Sequence, residues 1–237
     1  MNTNAQIITD LKKKIGTDQV LDFLSDWKGV PVVVKGYIHE IRDESIIFQV
    51  EPPDSICFDQ DDHALILHDI FIMGIQGRIL TYDPQKDMVE LGEFIYMDRG
   101  FGNRSTARVE PNIPIPAELV LPEAPIPAEL VLDETAIVCQ VVDISLNGFG
   151  LLAEFRDDLK TKKGESNSLK LNLLDQEIEI PGMLVNIIPK GDTVRLAMSF
   201  SQEAPGSLVV TRYISRRRAE IRQEIQNAYQ LASGKSN

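Results

Sequence analysis

Short runs of apolar and β-branched residues, separated by turn residues, fill most of this sequence and most constrain its fold. Four runs lie between residues 30 and 98, and five more lie between residues 136 and 200. Runs of this kind, bounded by Asp, Pro, Gly and Lys, are typical of strands joined by tight turns. The sequence therefore predicts a mainly β protein with two small β-barrel domains.

Helical periodicity is confined to the two ends of the chain. Residues 4–15 and 17–27 place apolar side chains at helical spacing on either side of Gly16, which predicts two short N-terminal helices. Near the C-terminus, one apolar stripe predicts a closing α-helix, with Ser215 as its N-cap and Gly234 just beyond its end. The stripe consists of Ile214, Ile221, Ile225 and Ala228.

The chain is long enough for two compact units, since it has 237 residues with 43% apolar content. Residues 99–103, "RGFGN", indicate a linker because two glycines bracket one aromatic residue without any periodicity. We therefore predict an N-terminal barrel domain over residues 1–98. The second domain is expected over residues 99–237 and includes the closing helix.

An identical octapeptide, "PIPAELVL", occurs at residues 114–121 and again at residues 125–132. A period of eleven is too short for a solenoid repeat, so a local duplication explains it better. The prolines exclude a helix and restrict any strand to the edge of a sheet. We expect one copy to form a strand and the other to form an added loop or edge.

Charge is divided unevenly between the two predicted domains. Residues 1–98 carry 8 Lys+Arg against 18 Asp+Glu, whereas residues 99–237 carry 16 against 18. The net charge of −12 disfavours DNA or RNA as a partner, because phosphates would be repelled. An oligonucleotide-binding barrel is a further hypothesis, disfavoured by this charge and by the small number of aromatic residues. The charge does not disfavour a small anionic ligand held by a local arginine cluster.

The sequence disfavours several other classes of protein. No apolar run is long enough to span a membrane, and no secretory signal is visible, so we expect a cytoplasmic protein. Cys57 and Cys139 lie in apolar runs and are expected to be buried thiols. His63 and His68 are five residues apart in an acidic stretch, which does not suit a metal site. No nucleophile, base and orienting group occur together, so we expect neither an enzyme nor a cofactor.

Two arginines, Arg104 and Arg108, lie four residues apart before the second series of strands. They would share one face in a helix or in a strand, and a partner of opposite charge is one reason for such a pair. The same spacing recurs at Arg212 and Arg216 in the closing helix. The basic run at residues 216–218 is expected to be a solvated face of that helix.

A second motif, "DISLNG", lies at the junction of two predicted strands. Asp143 and Ser145 are two residues apart, so an extended chain directs both to the same face. Asn147 and Gly148 are expected to supply the positive φ of a tight turn. Taken alone, this motif is also an ordinary hairpin signature.

The two motifs, followed by a barrel and a terminal helix, resemble the PilZ domain, the receptor module for cyclic di-GMP, over about residues 99–232. The resemblance implies that the ligand is bound by a set of residues from both motifs. They are Arg104, Arg108, Asp143, Ser145, Asn147 and Gly148, with Arg99 as a substitute for a third arginine that is replaced by Asn103. The 34 residues between the motifs exceed the usual gap, and removing one eleven-residue repeat leaves 23.

The resemblance also implies a mode of action. The first domain resembles, in size and position, the N-terminal domain of the flagellar-brake group of PilZ proteins. We therefore expect a cyclic di-GMP effector of motility or biofilm, which changes its interdomain arrangement and acts on a protein of the motility or exopolysaccharide machinery. A PilZ-like interaction module that binds no ligand is the alternative hypothesis.

Overall fold

A computed structural model describes residues 3–15, 19–69, 71, 73–97, 108–121, 135–156, 159 and 163–235. These residues form two closed barrels of six strands each, with an α-helix at each end of the chain. Strands account for 53% of the structure. The predicted mainly β class and the two barrels are confirmed.

The first barrel has the strand order β1-β2-β3-β6-β5-β4, and all neighbouring strands are antiparallel. Its core contains Phe23, Phe48 and Phe58, whose rings meet edge to face. Helix α1 adds apolar residues of one face to this core. The elements are α1 Thr3–Lys14, β1 Leu21–Trp27, β2 Val30–Ile41, β3 Ser45–Val50, a 3-10 helix Asp54–Asp59, β4 His63–Leu67, β5 Gly74–Asp83 and β6 Met88–Met97.

The predicted helix over residues 17–27 is wrong, because this segment contains strand β1. Along β1, Leu21, Phe23 and Trp27 are buried while the aspartates between them are exposed, which is the period of a strand. The strand pairs with β2 on one side and with β4 on the other. Closing the barrel removes two open sheet edges, and this gain overrides a local pattern that also fits a helix.

The second barrel has the order β10-β11-β12-β9-β8-β7. The first copy of the repeated octapeptide forms β7, whereas the second copy lies outside the described residues. Strand β7 is not an edge strand, since it pairs with both β8 and β10; Pro116 lies before the residues that pair with β10. The strands are β7 Ile115–Leu121, β8 Thr135–Ser145, β9 Gly148–Glu154, β10 Ser166–Leu173, β11 Gln176–Lys190 and β12 Thr193–Ser199.

The closing helix, α2, extends over Ser207–Ser233. It begins two turns earlier than predicted, and Ser215 is not its cap: the Ser215 hydroxyl donates to the Thr211 carbonyl within the helix. Gly234 follows the last turn with φ of 66°, as expected of a C-terminal glycine. The predicted solvated run is wrong at Arg217, which is buried, with its Nε donating to the Glu110 carbonyl at 2.9 Å.

Contacts divide the chain into two units, one of Met1–Ser105 with Glu220–Asn237 and one of Thr106–Ala219. The second half of α2 thus belongs with the first barrel, because Ile221 and Ile225 join the core of that unit. The division into domains 1–98 and 99–237 stays a prediction. Neither α-helix that the structure describes has the length and apolar content to cross a bilayer.

Both cysteines are buried and free, as predicted. Burial raises the pKa of the Cys57 thiol and of the Cys139 thiol to about 12. The neutral thiol is therefore the favoured form, and both side chains act as small apolar groups.

Candidate functional site

A β-bulge in strand β8 places Asp143 on the outer face of the second barrel. Cys139 and Val141 are buried on the inner face, and the register then shifts between Val141 and Asp143. After the shift, Ile144 faces the core of the barrel. Asp143 and Ser145, on either side of it, therefore both face outward. The spacing of two residues does place the aspartate and the serine on one face, as the sequence predicted.

Arg108 reaches Asp143 because the segment before the barrel is anchored on β8. Val109 is fully buried and exchanges two backbone hydrogen bonds with Ile144, of 2.8 and 2.9 Å. This bridge places Arg108 Nη1 at 3.2 Å from Asp143 Oδ1. Arg217 holds the next residue of the segment through the Glu110 carbonyl. The structure thus brings together two residues that are 35 positions apart.

Strand β12 adds a third charged group that the motifs did not indicate. Arg195 Nη2 lies 2.7 Å from Asp143 Oδ2. Alternation along "DTVRLAMSF" places Arg195 on an outer face, which the sequence does show. That β12 lies beside β9, and so within reach of β8, depends on the strand order of the closed barrel, which the sequence does not show.

Two glycines of β9 lie opposite the two polar residues of β8: Gly150 pairs with Asp143, and Gly148 with Ser145. A Cβ atom at Gly150 would lie 2.6 Å from Asp143 Cγ, and one at Gly148 would lie 2.8 Å from the Met198 carbonyl oxygen. Both positions therefore require the smallest residue for close approach.

The expected positive φ at Asn147 and Gly148 is wrong. Neither residue is among the described residues with positive φ. The hairpin connects Ser145 and Gly148 through a turn of two residues, and Ser145 Oγ lies 3.2 Å from both Asn147 Oδ1 and the Gly148 carbonyl oxygen. The glycine of the motif is therefore explained by packing, and the asparagine by its contact with the serine.

Two guanidinium groups share one carboxylate at this place. The Asp143 side chain is only 8% exposed, and a carboxylate so buried needs such partners. Arg108 and Arg195 are 34% and 55% exposed. The cluster therefore carries an excess of one positive charge in a strongly acidic protein, which suits an anionic ligand. Two other predicted site residues, Arg99 and Arg104, lie outside the described residues.

Residues 103–215 match the family model of the PilZ domain. The matched residues, which include the second barrel, are therefore a PilZ domain, as the two sequence motifs predicted. A comparison with curated proteins gives no match.

Three solved structures are among those similar to the chain. YcgR from Escherichia coli in complex with c-di-GMP is 15% identical, with 94% of this chain and 92% of that chain covered and a TM-score of 0.40. The inhibitor of motility MotI/DgrA from Bacillus subtilis is 14% identical, with 87% and 99% covered and a TM-score of 0.39. The MrkH–c-di-GMP complex of K. pneumonia is 10% identical, with 94% and 98% covered and a TM-score of 0.44.

Proposed function

We propose that this chain is a cyclic di-GMP receptor that acts by binding, without catalysis, cofactor or metal. The observation that carries the proposal is the pairing of Arg108 with Asp143 on the outer face of a PilZ domain. Cyclic di-GMP is a dianion with two guanines, and an arginine fork can pair with a phosphate or with guanine O6 and N7. The remaining edge of guanine carries N–H donors, which an ionised Asp143 accepts.

Each predicted residue has a part in this proposal. Arg104 and Arg108 bind phosphate or guanine, while Ser145 adds a hydroxyl contact beside Asp143. Gly148 and Asn147 shape the hairpin that presents these side chains, as their contacts with Ser145 and β12 indicate. Arg99 substitutes for the third arginine of related domains.

Calorimetric titration of the purified protein with cyclic di-GMP tests the proposal. Arg104→Ala and Arg108→Ala each remove a charge-assisted contact of about 2–3 kcal/mol, so each should weaken binding about 30- to 150-fold. Arg218→Ala is the matched control, since Arg218 is an exposed arginine of α2. Equal affinity in the wild type and both site variants would refute the assignment. A folded wild type that binds no cyclic di-GMP would favour the interaction module without a ligand.

The proposed output is a change of domain arrangement. Arg104 and Arg108 lie at the end of a glycine-containing segment of the sequence that connects the two barrels, whereas Asp143 lies on the second barrel. A ligand that contacts both ties this segment to the barrel and restricts where the first domain can lie. The acidic first domain is then presented to a basic surface of a cytoplasmic protein of the motility or exopolysaccharide machinery, rather than to DNA or RNA.

Small-angle scattering and amide exchange, each with and without cyclic di-GMP, test this output. Exchange protection should rise across residues 98–110, and the distribution of interdomain distances should change. Asp143→Ala is the control, since a variant that does not bind should show neither change. Saturating ligand with no change in either measurement would leave a receptor without this switch.

A further inference from the structure

Arg195 occupies the far side of the candidate site from Arg108. The three strands lie in the order β8, β9, β12, and the Asp143 carboxylate extends over Gly150 of β9 towards Arg195 of β12. The Arg195 side chain is more than half exposed, and its guanidinium lies 2.7 Å from Asp143 Oδ2. An arginine has five N–H donors, so this contact leaves others for a ligand.

Small residues form the surface of the sheet between Ser145 on β8 and Arg195 on β12. Gly150 pairs with Ala197 of β12, and Gly148 pairs with Ser199, on the same outer face as Arg195. No side chain on these four positions is larger than that of serine. A planar base can therefore approach the sheet between Ser145 and Arg195 without meeting a bulky side chain.

The charge count argues that Arg195 does more than neutralise Asp143. Arg108 already places a guanidinium nitrogen 3.2 Å from this carboxylate, and Arg195 adds a second. Within the described part of the chain, Asp143 is the only carboxylate paired with either arginine. Two cations on one anion leave a surplus that a further anionic or electron-rich group can balance.

We propose that Arg195 contacts the ligand directly and binds O6 of the guanine whose N–H edge is held by Asp143. This inference rests on the proposed function. Guanine N1–H and O6 are adjacent on one edge, as a donor and an acceptor. Asp143 Oδ2 accepts a hydrogen bond from Arg195 Nη2 at 2.7 Å, and Nη2 carries a second N–H. The pair therefore presents an acceptor and a donor side by side, the complement of this guanine edge. Arg195 is thus a specificity-determining residue on a strand that carries neither motif.

Calorimetry on the full chain with cyclic di-GMP tests the inference. Arg195→Ala should weaken binding about 10- to 150-fold, as expected for a lost contact with a charged donor. Arg195→Lys should recover little of the affinity, because an ammonium lacks the planar fork. Arg212→Ala, which removes an exposed arginine of α2, should bind as the wild type does. Circular dichroism of Arg195→Ala and Arg195→Lys checks that the barrel is intact. One folded variant of the two is enough for the binding test.

A double-mutant comparison separates direct contact from positioning. If Arg195 binds the ligand, adding Arg195→Ala to Asp143→Asn should weaken binding further. If Arg195 only holds the carboxylate, the second substitution should have no effect on that background, and the inference is wrong. Wild-type affinity of Arg195→Ala overturns the inference and leaves the proposed function intact. A wild type that binds no cyclic di-GMP overturns both.

Discussion

Gly150→Ala is the substitution whose effect follows most directly from the geometry of the site. The three heavy atoms nearest to a Cβ at this position are the two carboxylate oxygens and Cγ of Asp143. Gly150 does not have positive φ, so the alanine backbone itself is not strained. The closest conflict of the added methyl group is therefore with the Asp143 carboxylate, which has to move away from Arg108 and Arg195.

The expected loss is about 1–3 kcal/mol of unfolding free energy, the usual cost of an inserted methyl group in a packed place. For a unit of this size, each kcal/mol lowers Tm by roughly 4 °C. Cyclic di-GMP binding should weaken as well, because the displaced carboxylate no longer meets the guanine edge.

On an Asp143→Ala background, Gly150→Ala should raise the free energy of unfolding instead of lowering it. With the carboxylate removed, the methyl group has room, and replacing a glycine by alanine stabilises by about 0.4–1 kcal/mol through the unfolded chain. Thermal denaturation of the wild type, both single variants and the double variant gives this comparison. Equal destabilisation on both backgrounds would show that Asp143 is not what excludes a side chain at Gly150.

Three further predictions concern other parts of the chain. Arg217→Ala should cost about 1.5–3 kcal/mol of stability in denaturant unfolding, since it removes a buried guanidinium group and its hydrogen bond to the Glu110 carbonyl, whereas exposed Arg218→Ala should change it little; equal effects would contradict the burial of Arg217. Cys57 and Cys139 should resist a thiol reagent at about pH 8 until urea unfolds the protein, because burial raises the pKa of each thiol to about 12; rapid labelling of the folded chain would show otherwise. Deleting residues 125–135 should leave a folded barrel by circular dichroism, because β7 comes from the first copy of the repeat; an unfolded product would mean that the second copy is essential.

The sequence predicted most strands correctly, because apolar residues alternate with polar residues along the strands of both barrels. It failed at β1, where Phe23 and Trp27 fit a helical stripe as well as a strand face. Only the pairing of β1 with both β2 and β4 decides between the two, and pairing is a tertiary property. The start of α2 was also predicted wrongly, because Ser215 is a residue type that often caps helices but lies within this one.

The site was predictable where it depends on motifs and unpredictable where it depends on strand order. Arg108 and Asp143, one from each motif, lie 3.2 Å apart, and the spacing of Asp143 and Ser145 correctly places both on one face. Arg195 lies on β12, which is separated from β8 by β9, so no spacing along the chain indicates it. Arg217 looks like part of a solvated basic run, although it is buried and supports the segment that carries Arg108.

Amide exchange of the intact protein, with and without saturating cyclic di-GMP, tests most directly whether the ligand binds on the outer face of the second barrel. Exchange should slow in three segments, residues 108–110, 143–150 and 193–199, which lie together only in the folded barrel. Asp143→Ala should abolish the protection in all three. Ligand-dependent protection confined to the first barrel, or saturation with no protection in these segments, would show that the ligand does not bind on this face.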